Sequence, residues 1–132
     1  MIESIDHIVL TIKDLNKTIY FYCDILGMKL EEFKLDNNSE IRKCLKFGSQ
    51  KINLHEYNNL IKPGANLAKP GTGDICFISN KDVLEWEKLF IRNKIKIQHG
   101  PIKQIGATGD LYSIYVRDPD KNLIEISNRI TL

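Results

Sequence analysis

From Ser4 to Ile12 apolar and polar residues alternate, with Ile8, Leu10 and Ile12 on one side of an extended chain and His7, Val9 and Thr11 on the other. That period of two predicts a strand with one wholly apolar face. After Asp14, a residue type that caps helix N-termini, the period changes: Leu15, Ile19, Tyr22 and Leu26 recur at helical spacing until Gly27, a common C-terminal stop. Three short strand-like runs follow, at 28–33, 41–47 and 52–57, separated by polar turns at 36–39 and 48–50. The first part of the chain therefore reads βαβββ.

A Pro- and Gly-containing stretch without period, about 61–72, reads as a linker, and then the pattern restarts. Residues 74–79 alternate as a strand, and 82–93 carry Val83, Trp86 and Phe90 on one side of a helix. Residues 95–98, 112–117 and 123–127 give three more strands. Sliding the first half by 67 positions lays His7 on Asp74 and Leu10 on Phe77, and a slide of 72 lays Asn53 on Glu125. A βαβββ unit exposes a sheet face that it cannot bury alone. The expected architecture is thus α+β: a single domain of two tandem modules, about 1–60 and 73–128, forming a curved, cup-like mixed sheet with function in its concavity.

Composition adds exclusions. At 132 residues the chain can bury a substantial core, and 42% hydrophobic with 27% charged residues is ordinary for a globular protein. Net charge is +2, and the lysines are scattered along the sequence without forming a stripe, so nothing asks for nucleic acid. Three cysteines without a CxxC pair fit reduced thiols better than a disulfide framework. No apolar run approaches membrane-spanning length and the first residues lack the pattern of a signal peptide, which points to a soluble cytoplasmic protein.

Strand alternation also sorts the polar side chains. The set opposite the aliphatic faces comprises His7, Asn53, His55, Asp74, Cys76, Ser113, Tyr115, Arg117, Glu125 and Ser127. Imidazole nitrogen and carboxylate oxygen suit Zn, Ni, Fe or Mn ions, and positions matched by a repeat can converge near its axis. Each residue also has a plain structural reading. A single His in a strand is commonly just hydrogen-bonded, Asp74 follows the turn residues Gly71-Thr72-Gly73 and can cap that loop, and Ser with Tyr pairs across any sheet. Cys76 reads as a small buried thiol and His99, before Gly100-Pro101, as a solvated loop residue. Glu125, between Ile124 and Ile126, most needs a partner or a metal.

Asp6-His-Ile-Val-Leu-Thr11, Phe21-Tyr22 with Leu26-Gly-Met28, and Arg117-Asp-Pro-Asp-Lys-Asn-Leu-Ile-Glu125 resemble the opening, helix and closing motifs of the vicinal-oxygen-chelate superfamily, which includes glyoxalases, bleomycin-resistance proteins and extradiol dioxygenases. Within it the chain is most similar to the glyoxalase-domain group labelled virulence or dioxygenase-related proteins. The resemblance implies one divalent metal ion per site (Ni, Zn, Mn or Fe) with His7, Asp74 and Glu125 as ligands. It also implies a small-molecule substrate contacted by Asn53, His55, Ser113, Tyr115 and Arg117, and a homodimer with sites at or near the interface.

Asp74 stands where glyoxalase I and fosfomycin-resistance proteins commonly place His, and Asn53 where glyoxalase I places Glu. Two carboxylates and a neutral His cancel a divalent charge, so such a metal would be a weaker Lewis acid; because Asp is shorter than His, either the metal shifts toward the fifth strand, a water bridges, or His55 completes the shell. The expected function is a divalent-metal-dependent, glyoxalase-like isomerase or lyase acting on a small oxygen-chelating substrate, with Glu125 and His55 as catalytic acid or base. Epoxide opening falls within the same chemistry. The alternatives are an Fe(II) extradiol-type ring-cleaving dioxygenase and a non-catalytic small-molecule-binding resistance protein.

Overall fold

The computed structural model describes residues 1–37 and 39–130; Asn38, in the turn predicted at 36–39, lies outside them. The chain divides into two compact units, Met1–Gly71 and Thr72–Leu132. In the first unit the order is β1 (His7–Ile12), α1 (Leu15–Ile19), β2 (Lys29–Phe33), β3 (Arg42–Phe47) and β4 (Gln50–Glu56). In the second it is β5 (Asp74–Ile78), α2 (Val83–Arg92), β6 (Ile97–Ile105), β7 (Asp110–Arg117) and β8 (Leu123–Arg129).

Each unit builds a four-stranded mixed sheet of the same topology, β1-β4-β3-β2 and β5-β8-β7-β6. The first strand of each unit runs parallel to the last, and the remaining neighbours are antiparallel. The fold class is therefore the α+β arrangement that the repeat predicts. Register agrees with the two sequence offsets: Asn53 lies opposite Val9 and Glu125 opposite Cys76, at matching places in the two sheets.

Burial follows the alternation. Leu10, Ile12, Leu45, Ile52 and Leu54 are buried in the first unit, and Ile114, Val116, Ile124 and Ile126 in the second. Each such side chain contributes about 1.5–3 kcal/mol on leaving water. Helix α2 packs on β6, β7 and β8 through the buried Val83, Trp86 and Phe90, the two rings stacked with centroids 5.7 Å apart. Its start is fixed twice over. Asp82 accepts from the Leu84 N–H at 2.8 Å, and Asn128 of β8 accepts from the Val83 N–H at 2.7 Å.

Two predicted elements differ. The first helix is not uniformly α: Asp14 caps it as expected, accepting from the Lys17 N–H, but Tyr20–Ile25 widen to a π-helical pitch with Leu26 N–H bonded to the Phe21 carbonyl. The widening brings Phe21, Tyr22 and Ile25 into the buried set before Gly27 turns at φ +82°. Strand β6 reaches Ile105 instead of ending at 98, because an edge strand tolerates Gly100-Pro101 where its ladder is bulged. No helix among the described residues is long and apolar enough to cross a membrane.

Candidate functional site

In the second unit the polar face of the sheet is a sequence of cross-strand rows. One row runs Cys76, Glu125, Tyr115, His99 across β5, β8, β7 and β6; the next runs Ile78, Ser127, Ser113, Ile102. On the other side of the first row lie Asp74, Leu123 and Arg117. The sheet thus gathers Asp74, Ser113, Tyr115, Arg117 and Glu125 on one face, as the alternation predicts.

Glu125 is the hub of this face. Ser113 Oγ donates to its Oε2 at 2.7 Å, Tyr115 donates to the same carboxylate, and Ser127 Oγ lies 3.2 Å from Oε2. Ser113 and Ser127 are fully buried and their hydroxyl oxygens are 2.6 Å apart. Counting protons orders the chain. Ser113 commits its hydrogen to Glu125, so the short serine–serine contact uses the hydrogen of Ser127, and the 3.3 Å contact between Cys76 Sγ and Ser127 Oγ is left to the thiol as donor. The relay runs from Cys76 through Ser127 and Ser113 to Glu125.

Burial, the hydrogen bond to Glu125 and the surrounding negative charge push the Tyr115 phenol up to about 12, so it remains a neutral donor. The Cys76 thiol is also raised, first by burial and then by Glu125, although the residue as a whole is exposed and not the buried thiol expected. Arg117 is exposed and donates to the Lys121 carbonyl at 3.2 Å.

His99 is exposed as expected, but it is not a loop residue. It lies in β6, opposite Tyr115, with ring centroids 5.6 Å apart. Gly100 makes this possible: at φ +88° a Cβ there would sit 2.5 Å from the Ser113 carbonyl oxygen. The signal available in the sequence was a Gly-Pro bulge in an edge strand.

A tight turn aligns Asp74 with this face. The buried Asp118 carboxylate accepts from the N–H groups of Asp120 and Asn122 at 2.9 Å each and from the Asn122 side chain at 2.8 Å. Asn122 Oδ1 in turn accepts from the Gly73 N–H at 2.7 Å, and the Leu123 N–H donates to the Gly73 carbonyl. The β7–β8 turn therefore grips the residue that precedes Asp74.

In the first unit His7 opens the polar face of β1, and Asn53 and His55 share that face on β4. His7 Nδ1 is 2.8 Å from Asp6 Oδ1; the hydrogen bond to His7 leads the causes that lower the Asp6 pKa. An ionised carboxylate only accepts, so Nδ1 is the donor, and in the neutral ring Nε2 carries the free lone pair. The His7 side chain is 42% exposed. Asn53 Oδ1 is a buried acceptor without a hydrogen-bond partner among the described residues. Burial, and then the charge of Arg42, lower the pKa of His55 and keep its ring neutral at pH 7. Asp6 and Arg42 escaped the sequence reading because their effect depends on cross-strand and neighbour geometry.

Among the described residues no three His, Cys, Asp or Glu side chains of one chain gather closely enough to hold a metal ion. The donor types nonetheless suit one: an imidazole with its outer nitrogen free and a carboxylate already oriented by hydroxyl donors. His7 belongs to the first unit, and Asp74 and Glu125 to the second.

The motifs at both ends of the chain, the repeated βαβββ topology and this polar face define a class. The chain belongs to the Glyoxalase/Bleomycin resistance protein/Dioxygenase superfamily, whose model matches residues 4–126. It is 43% identical over 130 residues to Virulence protein STM3117 of Salmonella typhimurium, covering 98% of this chain and 87% of that protein. The crystal structure of that virulence protein superposes with a TM-score of 0.88 at 42% identity, covering 98% of this chain and 99% of the other. The chain is likewise 43% identical to the glyoxalase domain-containing protein RDO1 of Mycosarcoma maydis, over 96% of this chain and 69% of that one. It is 30% identical to the metallothiol transferase FosB of Staphylococcus epidermidis, over 95% of this chain and 81% of that one.

Proposed function

We propose that this protein is a divalent-metal-dependent enzyme of the glyoxalase type, acting as an isomerase or lyase on a small substrate that offers two oxygens to the metal. His7, Asp74 and Glu125 supply the ligands to Ni, Zn, Mn or Fe. The observation that carries the reading is the Asp6–His7 hydrogen bond, because a carboxylate on Nδ1 is the usual partner of a metal-binding imidazole and leaves Nε2 as the donor. The metallothiol transferase FosB, by its name a metal enzyme, is a relative over 95% of this chain.

When bound, the metal would supply a positive charge that polarises substrate oxygen. The chain's own groups do the rest. Ser113 and Tyr115 hold the Glu125 carboxylate in one orientation, so little reorganisation accompanies proton transfer to or from it. The neutral phenol of Tyr115 keeps its one hydrogen on Glu125, and neutral His55 accepts a proton at pH 7. Arg117 and the Asn53 oxygen, which has no hydrogen-bond partner among the described residues, offer a cation and an acceptor to polar substrate groups. The protein works as a cytoplasmic homodimer.

Metal content of the purified protein tests this reading. One ion per site is expected, lost in Glu125→Ala and in His7→Ala, while Asp6→Asn retains the ion with about 10–100-fold weaker affinity. Metal-free protein that still binds small molecules would overturn it in favour of a non-catalytic binder. Assays of thiol adducts of methylglyoxal, epoxides and catechols with each metal then separate isomerase, transferase and dioxygenase.

A further inference from the structure

Register in the first unit assembles a feature that the sequence conceals. Lys29, Lys46 and Lys51 lie on three different strands, spaced 17 and five residues apart, yet Lys29 pairs with Lys46, Lys46 with Lys51, and Lys51 with His7. Cross-strand partners project from the same face, so a row of three ammonium side chains crosses the sheet and ends at His7. Like charges directly opposite one another disfavour a sheet, and here two successive pairs do so. Among the described residues none of the three forms a salt bridge with a carboxylate, though the charge of Lys51 is felt by Asp6 and helps to lower its pKa.

The same face holds an open cavity of about 270 Å³, lined by Asp6, Glu31, Phe33, Cys44, Lys46 and Lys51 and rimmed by Ser49 and Gln50. Lys51 does not trail into solvent; its Nζ sits 4.2 Å from the centroid of the Phe33 ring, which holds it over the cavity. Gln50 donates to the Ile5 carbonyl at 3.2 Å and ties the segment carrying Asp6 and His7 to β4. Two carboxylates share the lining. Asp6 is engaged first by His7 and more weakly by the charge of Lys51, and Glu31 stands one row along, opposite Cys44.

We propose that Lys46 and Lys51, backed by Lys29, form a subsite for an oxyanion, a phosphoryl or carboxylate group, borne by a small acidic substrate whose chelating oxygens lie toward His7. Its place beside His7 rests on the metal reading above; the anion site itself does not. Two adjacent ammonium groups give charge-assisted hydrogen bonds to a tetrahedral or planar oxyanion, and the ligand in turn relieves their mutual repulsion. The cavity admits a small molecule, and the row is too short to track a nucleic-acid backbone.

Titration of the protein with inorganic phosphate and with succinate, followed calorimetrically, tests the subsite. The same samples are measured after chelator treatment and after loading with Mn²⁺, with metal content recorded separately. Saturable binding is expected in both states, the tighter probe assigning the phosphoryl or the carboxylate class. Lys46→Gln and Lys51→Gln each weaken it by about tenfold, Glu31→Gln tightens it, and Lys96→Gln, an exposed lysine off the row, leaves it unchanged. The opposite sign of the Glu31 variant separates a charge effect from misfolding. Absence of saturable binding, or affinity indifferent to Lys46 and Lys51, overturns the inference; so does binding that appears only with metal. Loss of metal from an otherwise anion-binding protein overturns the metal reading alone.

Discussion

A phenol that donates to a neighbouring carboxylate gives up its proton late, and Tyr115 shows the effect twice over because burial acts in the same direction. Of the five tyrosines, Tyr115 is expected to titrate near pH 12 in an ultraviolet difference titration of the folded protein, and Tyr115→Phe removes that step. Glu125→Gln lowers the step only partly toward 10, since burial is the first cause and Glu125 the second. A full return to 10 would show that burial does not matter. His55 behaves in the reverse sense: its folded pKa lies below 6.5, so the unfolded chain takes up this proton first as pH falls. This residue's contribution to stability is complete above 6.5 and diminishes as pH drops through 6.5 toward the lower folded value. Denaturation at successive pH values should show that slope, and Arg42→Gln should shrink it without removing it.

At the scale of the element, the turn between β7 and β8 does more than reverse the chain. Asn122 is 1% exposed and joins Asp118 on one side to Gly73 on the other. Asn122→Ala leaves a buried carboxylate oxygen and a backbone N–H without those partners, which should cost about 2–4 kcal/mol in urea denaturation. Metal affinity should fall with it, because Gly73 leads directly into Asp74; a variant that loses stability but binds metal normally would refute the alignment role. Most of these elements were legible in advance. Alternation gave the strands, Asp14 and Asp82 marked helix starts, and Gly27 marked a stop. The π-helical Tyr20–Ile25 and the extended β6 were not, because a wider helical pitch and a bulged edge strand depend on what their side chains and backbones meet in space.

For the whole molecule the repeat is the main organiser. Two sheets of identical strand order carry different chemistry at matched positions: His7 and Asp74, Asn53 and Glu125, and the lysines of the first unit against Leu123 and Arg117 in the second. The homodimer proposal makes a prediction at this scale. If each site takes His7 from one chain and Glu125 from its partner, mixing and refolding His7→Ala with Glu125→Ala regenerates intact sites in mixed dimers, about a quarter of the total. Metal content and activity of the mixture measure this, and a mixture as empty as its parents refutes the exchange.

The order of residues was sufficient to determine the βαβββ repeat, the apolar faces and the family motifs, because periodicity and capping are local properties that the chain displays without folding. It also marked His7, Asp74 and Glu125 as residues that require a reason. Tertiary structure alone decided which side chains stand next to one another: Asp6 on the inner nitrogen of His7, the serine and tyrosine hydroxyls on Glu125, His99 beside Tyr115, and three lysines in a single row. Strand register sets those neighbours. It pairs residues that are remote in sequence, so scattered charges become a patch only when the sheet closes.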